Sequence, residues 1–463
     1  MNKQIIKIIE SWANVKGNIN STSELLSWIE ELNKTTLVKV EECNIQDSTF
    51  WFYDDYNGEV LNRKRSFFYI KGMRMFKDNE FVFEQPIIIQ PEIGYLGIIC
   101  KQINGVMNFL MQAKIEPGNI NCVQISPTIQ ATKSNFTRAH GGKLPAYFEY
   151  FENSNKHNII YDQIQSEQAS RFYKKRNRNM IIEVKEDIEI YPNFKWMTLG
   201  QIKQLMNIDN LVNMDTRTVL SGIPFATIKF NEDELKYIES LFKDKFLYNS
   251  VFETCQNKDI INIYHHMNNY KMLHDINVVQ VPLNQLVDWN ISDEGITCRK
   301  NSNFMVRYYN ISIDGREVHK WTQPLFKAIG KATFGLITCV ENNVRKFLVT
   351  TKPEIGSFDK IEIGPTIQLE ANHNCYYDND VEVLFRKKVE DKNGIMIDVI
   401  LSEEGGRFYH EQNRNIILEI DKDEIKLLPQ GYFWLEYSSL NLLIQSNNCL
   451  NIQLRNLISL IEI

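Results

Sequence analysis

Short runs in which apolar residues are packed or alternate with polar ones fill most of this chain, and they come in two matching sets. Two apolar runs, over 93–103 and 106–113, flank Asn104-Gly105, and that pair predicts a β-hairpin because both central turn positions need positive φ. The design returns over 333–340 and 344–351 around Asn342-Asn343, since asparagine also tolerates the left-handed region. Polar side chains that alternate from Gln124 predict a strand ending in a glycine loop at Gly141-Gly142. A helix is expected over 163–175, a strand over 180–184, and a short helix after Thr198, whose spacing to Gln201 makes a capping box. Ser21 and Glu24 make the same box ahead of Leu25, Leu26, Trp28, Ile29 and Leu32, and Leu235, Ile238, Leu241 and Phe242 give a later charged stretch an apolar helical face.

The two sets are copies of one unit. Gln85-Pro86 recurs as Gln323-Pro324 and the run from Pro127 to Gln130 recurs as Pro365 to Gln368, both 238 residues on. Lys114, Glu116 and Gly118 recur as Lys352, Glu354 and Gly356 at that spacing. Ser166, Glu167, Arg171 and Asn177 recur as Ser402, Glu403, Arg407 and Asn413 at 236, and Trp196, Asn213 and Arg217 as Trp434, Asn451 and Arg455 at 238. So long a period marks a duplicated domain rather than a solenoid. The expected layout is a helical lead-in over 1–35, a first repeat over 36–225, a helical linker over 226–275 and a second repeat over 276–463, with an α+β fold in each repeat.

Composition narrows the function. At 463 residues with 43% hydrophobic content the chain fills two ordinary cores, and a net charge of −6 argues against nonspecific nucleic-acid binding. Eight cysteines without a C-x-x-C pair, and no long apolar run, lead to the expectation of a cytoplasmic protein with reduced thiols. No dinucleotide fingerprint, P-loop, nucleophile elbow or H-E-x-x-H pattern is present, so no cofactor is expected. His265, His266 and His274 lie in the linker without acidic or thiolate neighbours and are read as surface histidines rather than metal ligands.

Chemistry concentrates in the first repeat. The stretch from Gln124 to Gly142 carries Gln130, Ser134, Asn135, Arg138 and His140, whereas the second copy offers Glu370, Asn372, His373 and Cys375 in the corresponding stretch. A histidine beside two glycines suits a general base, because its pKa lies near neutrality and glycine admits a ligand close to the backbone. The basic run Arg171, Lys174, Lys175, Arg176 and Arg178 suits a diphosphate, a helix end or nucleic acid.

The segments QPIIIQPEIG (85–94), LMQAKIEPGN (110–119), VQISPTIQAT (123–132), QSEQ (165–168), KRNRN (175–179) and VNMDTR (212–217) together resemble the nucleoside-diphosphate-hexose 2,3-dehydratases of deoxysugar biosynthesis. The resemblance implies two tandem Nudix-like modules without the hydrolytic magnesium box, a homodimer, and loss of water across C2 and C3 of a dTDP-4-keto-6-deoxyglucose. It also implies an NADPH-dependent 3-ketoreductase as partner for the labile diketo product. On residue type and position, His140 is the expected base or acid, with Lys114 and Ser134 as donors to the developing oxyanion. Gln130 and Asn135 would orient the sugar, Arg138, Arg176 and Arg178 would hold the diphosphate, and Glu116 and Arg171 are further expected substrate contacts. Family members commonly carry tyrosine where this chain has Phe136, so no hydroxyl acts there. A sugar-nucleotide-binding protein and a 4-keto sugar isomerase or epimerase are the competing readings.

Overall fold

The computed structural model describes residues 2–137, 144–252, 257–314, 318–371 and 379–463. Both copies build the same seven-stranded mixed sheet. In the first, Asn158–Ser166 pairs with Arg176–Glu183, which runs parallel to Ile93–Ile103; Val106–Ile115 and Phe194–Met197 follow, with Val123–Ser126 and Ile129–Ala131 attached at the centre. In the second, the order is Ile395–Ser402, Gln412–Glu419, Ala332–Glu341, Val344–Pro353 and Tyr432–Glu436, with Ile361–Pro365 and Ile367–Leu369 attached. Both expected hairpins form, with Asn104, Gly105, Asn342 and Asn343 all at positive φ. The chain is α+β, and its duplication is visible strand by strand.

The copies exchange strands. Val38–Cys43 pairs antiparallel with Phe304–Ile313 of the second copy, and its counterpart Ile276–Val281 pairs with Tyr69–Lys77 of the first. Each exchange completes a smaller sheet beside the other copy's large one. The largest apolar core is also shared: Phe109, Ile125 and Val212 belong to the same cluster as Phe347, Ile363 and Leu450. Helices Met214–Ser221 and Ile452–Ser459 pack together within it. Arg217 and Arg455, 1% and 0% exposed, donate across this junction to the carbonyls of Ser402 and Ser166. Such bonds are required, because a buried guanidinium without acceptors costs several kcal/mol, about the scale of breaking a buried ion pair.

The lead-in helices Asn2–Ala13 and Thr22–Thr35 bury Ile5, Ile8, Ile9 and Trp12, and Leu25, Trp28 and Ile29, against the core. The Ser21/Glu24 and Thr198/Gln201 boxes both form, the second opening helix Leu199–Met206. Helices Glu232–Leu241, Lys245–Phe252 and Asn257–Leu273 join the copies, with Ile238 and Phe242 buried. Among the described residues no helix is long and apolar enough to cross a membrane.

One expected element is corrected. The helix over 163–175 is absent; a strand ends at Ser166, an irregular loop follows, and the next strand begins at Arg176. A single turn closes, with Phe172 N–H on Gln168 O at 2.9 Å, and the next donors then turn to distant acceptors: Tyr173 N–H bonds to Ile88 O at 2.9 Å and Lys174 N–H to Gly356 O at 2.8 Å. Contacts with Ile88 of the same copy and Gly356 of the other override the local helical preference of these residues.

Candidate active site

A cavity of about 970 Å³ opens between the first copy's large sheet and the smaller sheet completed by the strand exchange. Its floor is polar: Lys114 and Glu116 at the end of one strand, Gln130 on the short strand beside it, and Glu167, Lys175, Asn177 and Asp215 behind them. Phe50, Trp51, Phe67, Phe172 and Trp321 form an aromatic wall. The second copy contributes Lys320 and Gln323 from a strand, and Glu404, Gly406 and Arg407 from a loop.

That loop is locked in place. Gly118 N–H donates to Gly405 O at 2.7 Å, His410 N–H donates to Gly118 O at 2.9 Å, and a Cβ on Gly118 would collide with the Phe408 carbonyl. Glycine is required at this turn because two backbones meet there. Arg407 lies 4.1 Å from the centre of the Phe67 ring and donates through Nε and Nη2 to Gln90 Oε1, at 3.2 and 3.1 Å. A stacked guanidinium held this way is a rigid cation at the cavity wall.

The floor is a hydrogen-bonded network. Lys114 Nζ lies 3.3 Å from Glu116 Oε1, Gln130 Nε2 donates to the same oxygen at 3.1 Å, and Asn213 Nδ2 donates to Gln130 Oε1 at 3.2 Å. Asn177 donates to Glu167, and Lys175 Nζ donates to Glu92 O at 2.7 Å. Burial is the first cause of every shift in this group: it raises Glu167, raises Asp215 well above the usual carboxyl range, lifts Glu404 to about 7 with help from the Glu116 charge, and lowers Lys175 to about 8. Glu404 and Lys175 therefore exchange protons near neutrality beside two further carboxyls raised by burial, an arrangement suited to acid–base chemistry.

The second copy repeats the framework without the same chemistry. Gln368 Nε2 donates to Glu354 Oε1 at 3.0 Å, Lys352 Nζ to Gln368 O at 3.0 Å, and Asn451 Nδ2 to Gln368 Oε1 at 3.0 Å. At the paired positions, however, Asp215 is matched by Gln453, Glu404 by Gln168 and Lys175 by Glu411. Arg171, the partner of Arg407, faces this second framework, lying 3.4 Å from Glu370 and 3.9 Å from Glu411. Two acids that face the first framework are amides where they face the second.

The description of the NDP-hexose 2,3-dehydratase family matches this chain twice, over residues 22–223 and 261–461. The chain belongs to that family. Three proteins named dTDP-4-dehydro-6-deoxy-alpha-D-glucopyranose 2,3-dehydratase are similar along nearly their whole lengths. The protein of Saccharopolyspora spinosa is 34% identical over 98% of this chain and 94% of its own, that of Amycolatopsis orientalis 32% over 98% and 93%, and that of Streptomyces violaceoruber 31% over 96% and 98%.

Of the residues expected to serve a 2,3-dehydratase, Lys114, Glu116, Gln130 and Asn135 come together at the cavity. Arg138 and His140 lie outside the described residues, as does the Ser134 side chain, although Ser134 belongs to the short helix Lys133–Phe136. Arg171, Arg176 and Arg178 are not brought to the cavity. Arg171 is engaged by the second copy's carboxylates, Arg176 stacks 3.8 Å from the centre of Phe358, and Arg178 is bound by Asp162 at 2.6 Å. Phe136 stacks on Phe148 and meets Tyr95 edge-on, a packing role that needs no hydroxyl. Asp215, Glu404, Gln90 and the aromatic wall were not singled out from sequence. Aligning the copies at every polar position finds the first two, because acid faces amide at both.

Proposed function

We propose that the first-copy cavity removes water across C2 and C3 of dTDP-4-keto-6-deoxyglucose, giving the 3,4-diketo-2,6-dideoxy sugar nucleotide. The observation that carries this reading is the gathering of Lys114, Glu116, Glu167, Lys175, Asp215 and Glu404 around one space of nucleotide-sugar size, in a chain of this family. The C4 ketone acidifies the C3 hydrogen, so the first need is a base and the second is a donor for the enolate oxygen. His140 is the proposed base, with Lys114 and Ser134 as oxyanion donors and Glu116, Gln130 and Asn135 holding the sugar. In support, Asn135 and Pro145, on either side of His140 in sequence, both line the cavity. Asp215, whose carboxyl burial raises well above the usual range, is a further group proposed to face the sugar.

The aromatic wall suits stacking of the nucleobase, and Arg407 and Lys320 suit the diphosphate, a role that the sequence reading had given to Arg138, Arg176 and Arg178. The domain limits set out above, a Nudix-like character for each repeat, assembly as a homodimer, a cytoplasmic setting and a partner NADPH-dependent 3-ketoreductase belong to the same proposal. The mixed sheets with flanking helices support the second of these, and the lability of a diketone beside an anomeric diphosphate supports the last. The test is incubation with dTDP-4-keto-6-deoxyglucose in deuterated buffer, with the reductase and NADPH as trap. The expected product lacks the C2 oxygen and carries deuterium at C2. Deuterium uptake without loss of water indicates an isomerase, and an unchanged substrate indicates a binding protein; either overturns the proposal.

A further inference from the structure

Resting on the dehydratase reading, we propose that Glu404, supplied by the second repeat, is the acid that protonates the departing C2 hydroxyl in the first repeat's cavity. Its placement is built rather than incidental. Oε1 accepts from Gly406 N–H at 2.9 Å, and among the described residues none donates to Oε2. Its loop is anchored to the Glu116–Gly118 turn through Gly118 and His410, to Gln90 through Arg407, and to Gln323, whose Nε2 donates to Gly406 O at 2.6 Å. The other carboxyls on the floor are less free to act on a ligand. Glu116 is bonded by Gln130 and Lys114, Glu167 by Asn177, and Asp215 is only 2% exposed at the start of its helix.

The duplication supplies a control. The residue matching Glu404 is Gln168, whose Nε2 donates to Glu403 and, at 2.9 Å, to Met214 Sδ. An amide there keeps the loop but cannot deliver a proton, so the acid is retained only where its loop lines the working cavity. A carboxyl lifted to about 7 is present in its acid form at neutrality, as a proton donor must be.

The step balances. The base takes the C3 proton, the C2–O bond breaks with the Glu404 proton leaving in water, and the C2=C3 bond forms as C4 regains its carbonyl. The resulting enol loses its C3 hydroxyl proton as C2 is protonated, so the proton from C3 and the enol proton return both groups to their starting states. No redox change occurs.

The test is Glu404→Gln in the full chain, an exchange that the matching position already accommodates. Expected are unchanged binding of dTDP by calorimetry, a fall in kcat of at least about 100-fold, continued exchange of the C3 hydrogen for deuterium, and partial recovery in Glu404→Asp. Retained dehydration in Glu404→Gln overturns the proposal, and so does loss of C3 exchange together with dehydration, which would make Glu404 part of the first proton transfer. If Glu404→Gln binds no dTDP, Glu404→Ala decides: a kcat equal to wild type over a shifted KM also overturns the acid role. Wild-type protein that releases no water at all refutes the dehydratase reading instead.

Discussion

The two copies hold the same Lys-Glu-Gln-Asn network, yet Asp215, Lys175 and Glu404 surround only the first, and Gln453, Glu411 and Gln168 stand in their places around the second. The difference separates framework from chemistry. Shared residues orient one another within a buried polar network, which must be satisfied in either copy whether or not a reaction occurs there. Asp215 and Glu404 face the first framework alone, one from each copy, and amides face the second. Because the loops are exchanged, Glu404 is encoded in the second repeat and acts, in this account, in the first.

The sharpest way to break the comparison is to make the first cavity resemble the second. Asp215→Asn combined with Glu404→Gln is expected to lower kcat by about 1000-fold or more, within the range that acid–base groups supply, while circular dichroism and thermal unfolding show a folded protein. The reverse pair, Gln168→Glu with Gln453→Asp, is expected to add no turnover to the wild-type rate.

A smaller effect is expected at the paired glycines. A Cβ on Gly118 meets the Phe408 carbonyl and one on Gly356 meets the Phe172 carbonyl, so alanine at either is expected to cost about 1–3 kcal/mol by overpacking, read as a lower melting temperature. Only Gly118→Ala is expected to lower kcat/KM as well, because it shifts the loop that carries Glu404 and Arg407.

The smallest effect concerns pH. Burial lifts Glu354, Glu362 and Glu404 to about 7 and Glu411 to about 8. Folded-state values raised above the ordinary carboxyl value mean stability that is complete below about pH 4.5 and lost as pH rises through 7 to 8. The melting temperature is expected to fall across that window, and Glu411→Gln to make the fall shallower without changing kcat.

Much of the architecture was legible because it depends on local signals. Asn104-Gly105 and Asn342-Asn343 announced their turns, Ser21 and Thr198 announced their helices, and the constant spacing announced the duplication. What escaped was set by contacts between copies. The loop after Ser166 looks helical in isolation, but Lys174 N–H bonds to Gly356 O and Gly356 N–H to Ala169 O across the copies. Lys114, Glu116, Gln130 and Asn135 were found because they lie in one continuous stretch around a hairpin. Glu404 enters the same cavity from far along the chain, and no spacing rule links them. Arg178 was assigned to the diphosphate by charge, whereas Asp162 engages it, just as Asp398 engages its counterpart Arg414.

The central claim is that one of two matching frameworks works. It is tested most directly by measuring dehydration of dTDP-4-keto-6-deoxyglucose with Glu116→Gln and Glu354→Gln side by side. The account predicts at least about a 100-fold lower kcat for the first and a change of no more than about threefold for the second. Equal losses in both, or a larger loss in Glu354→Gln, would contradict it.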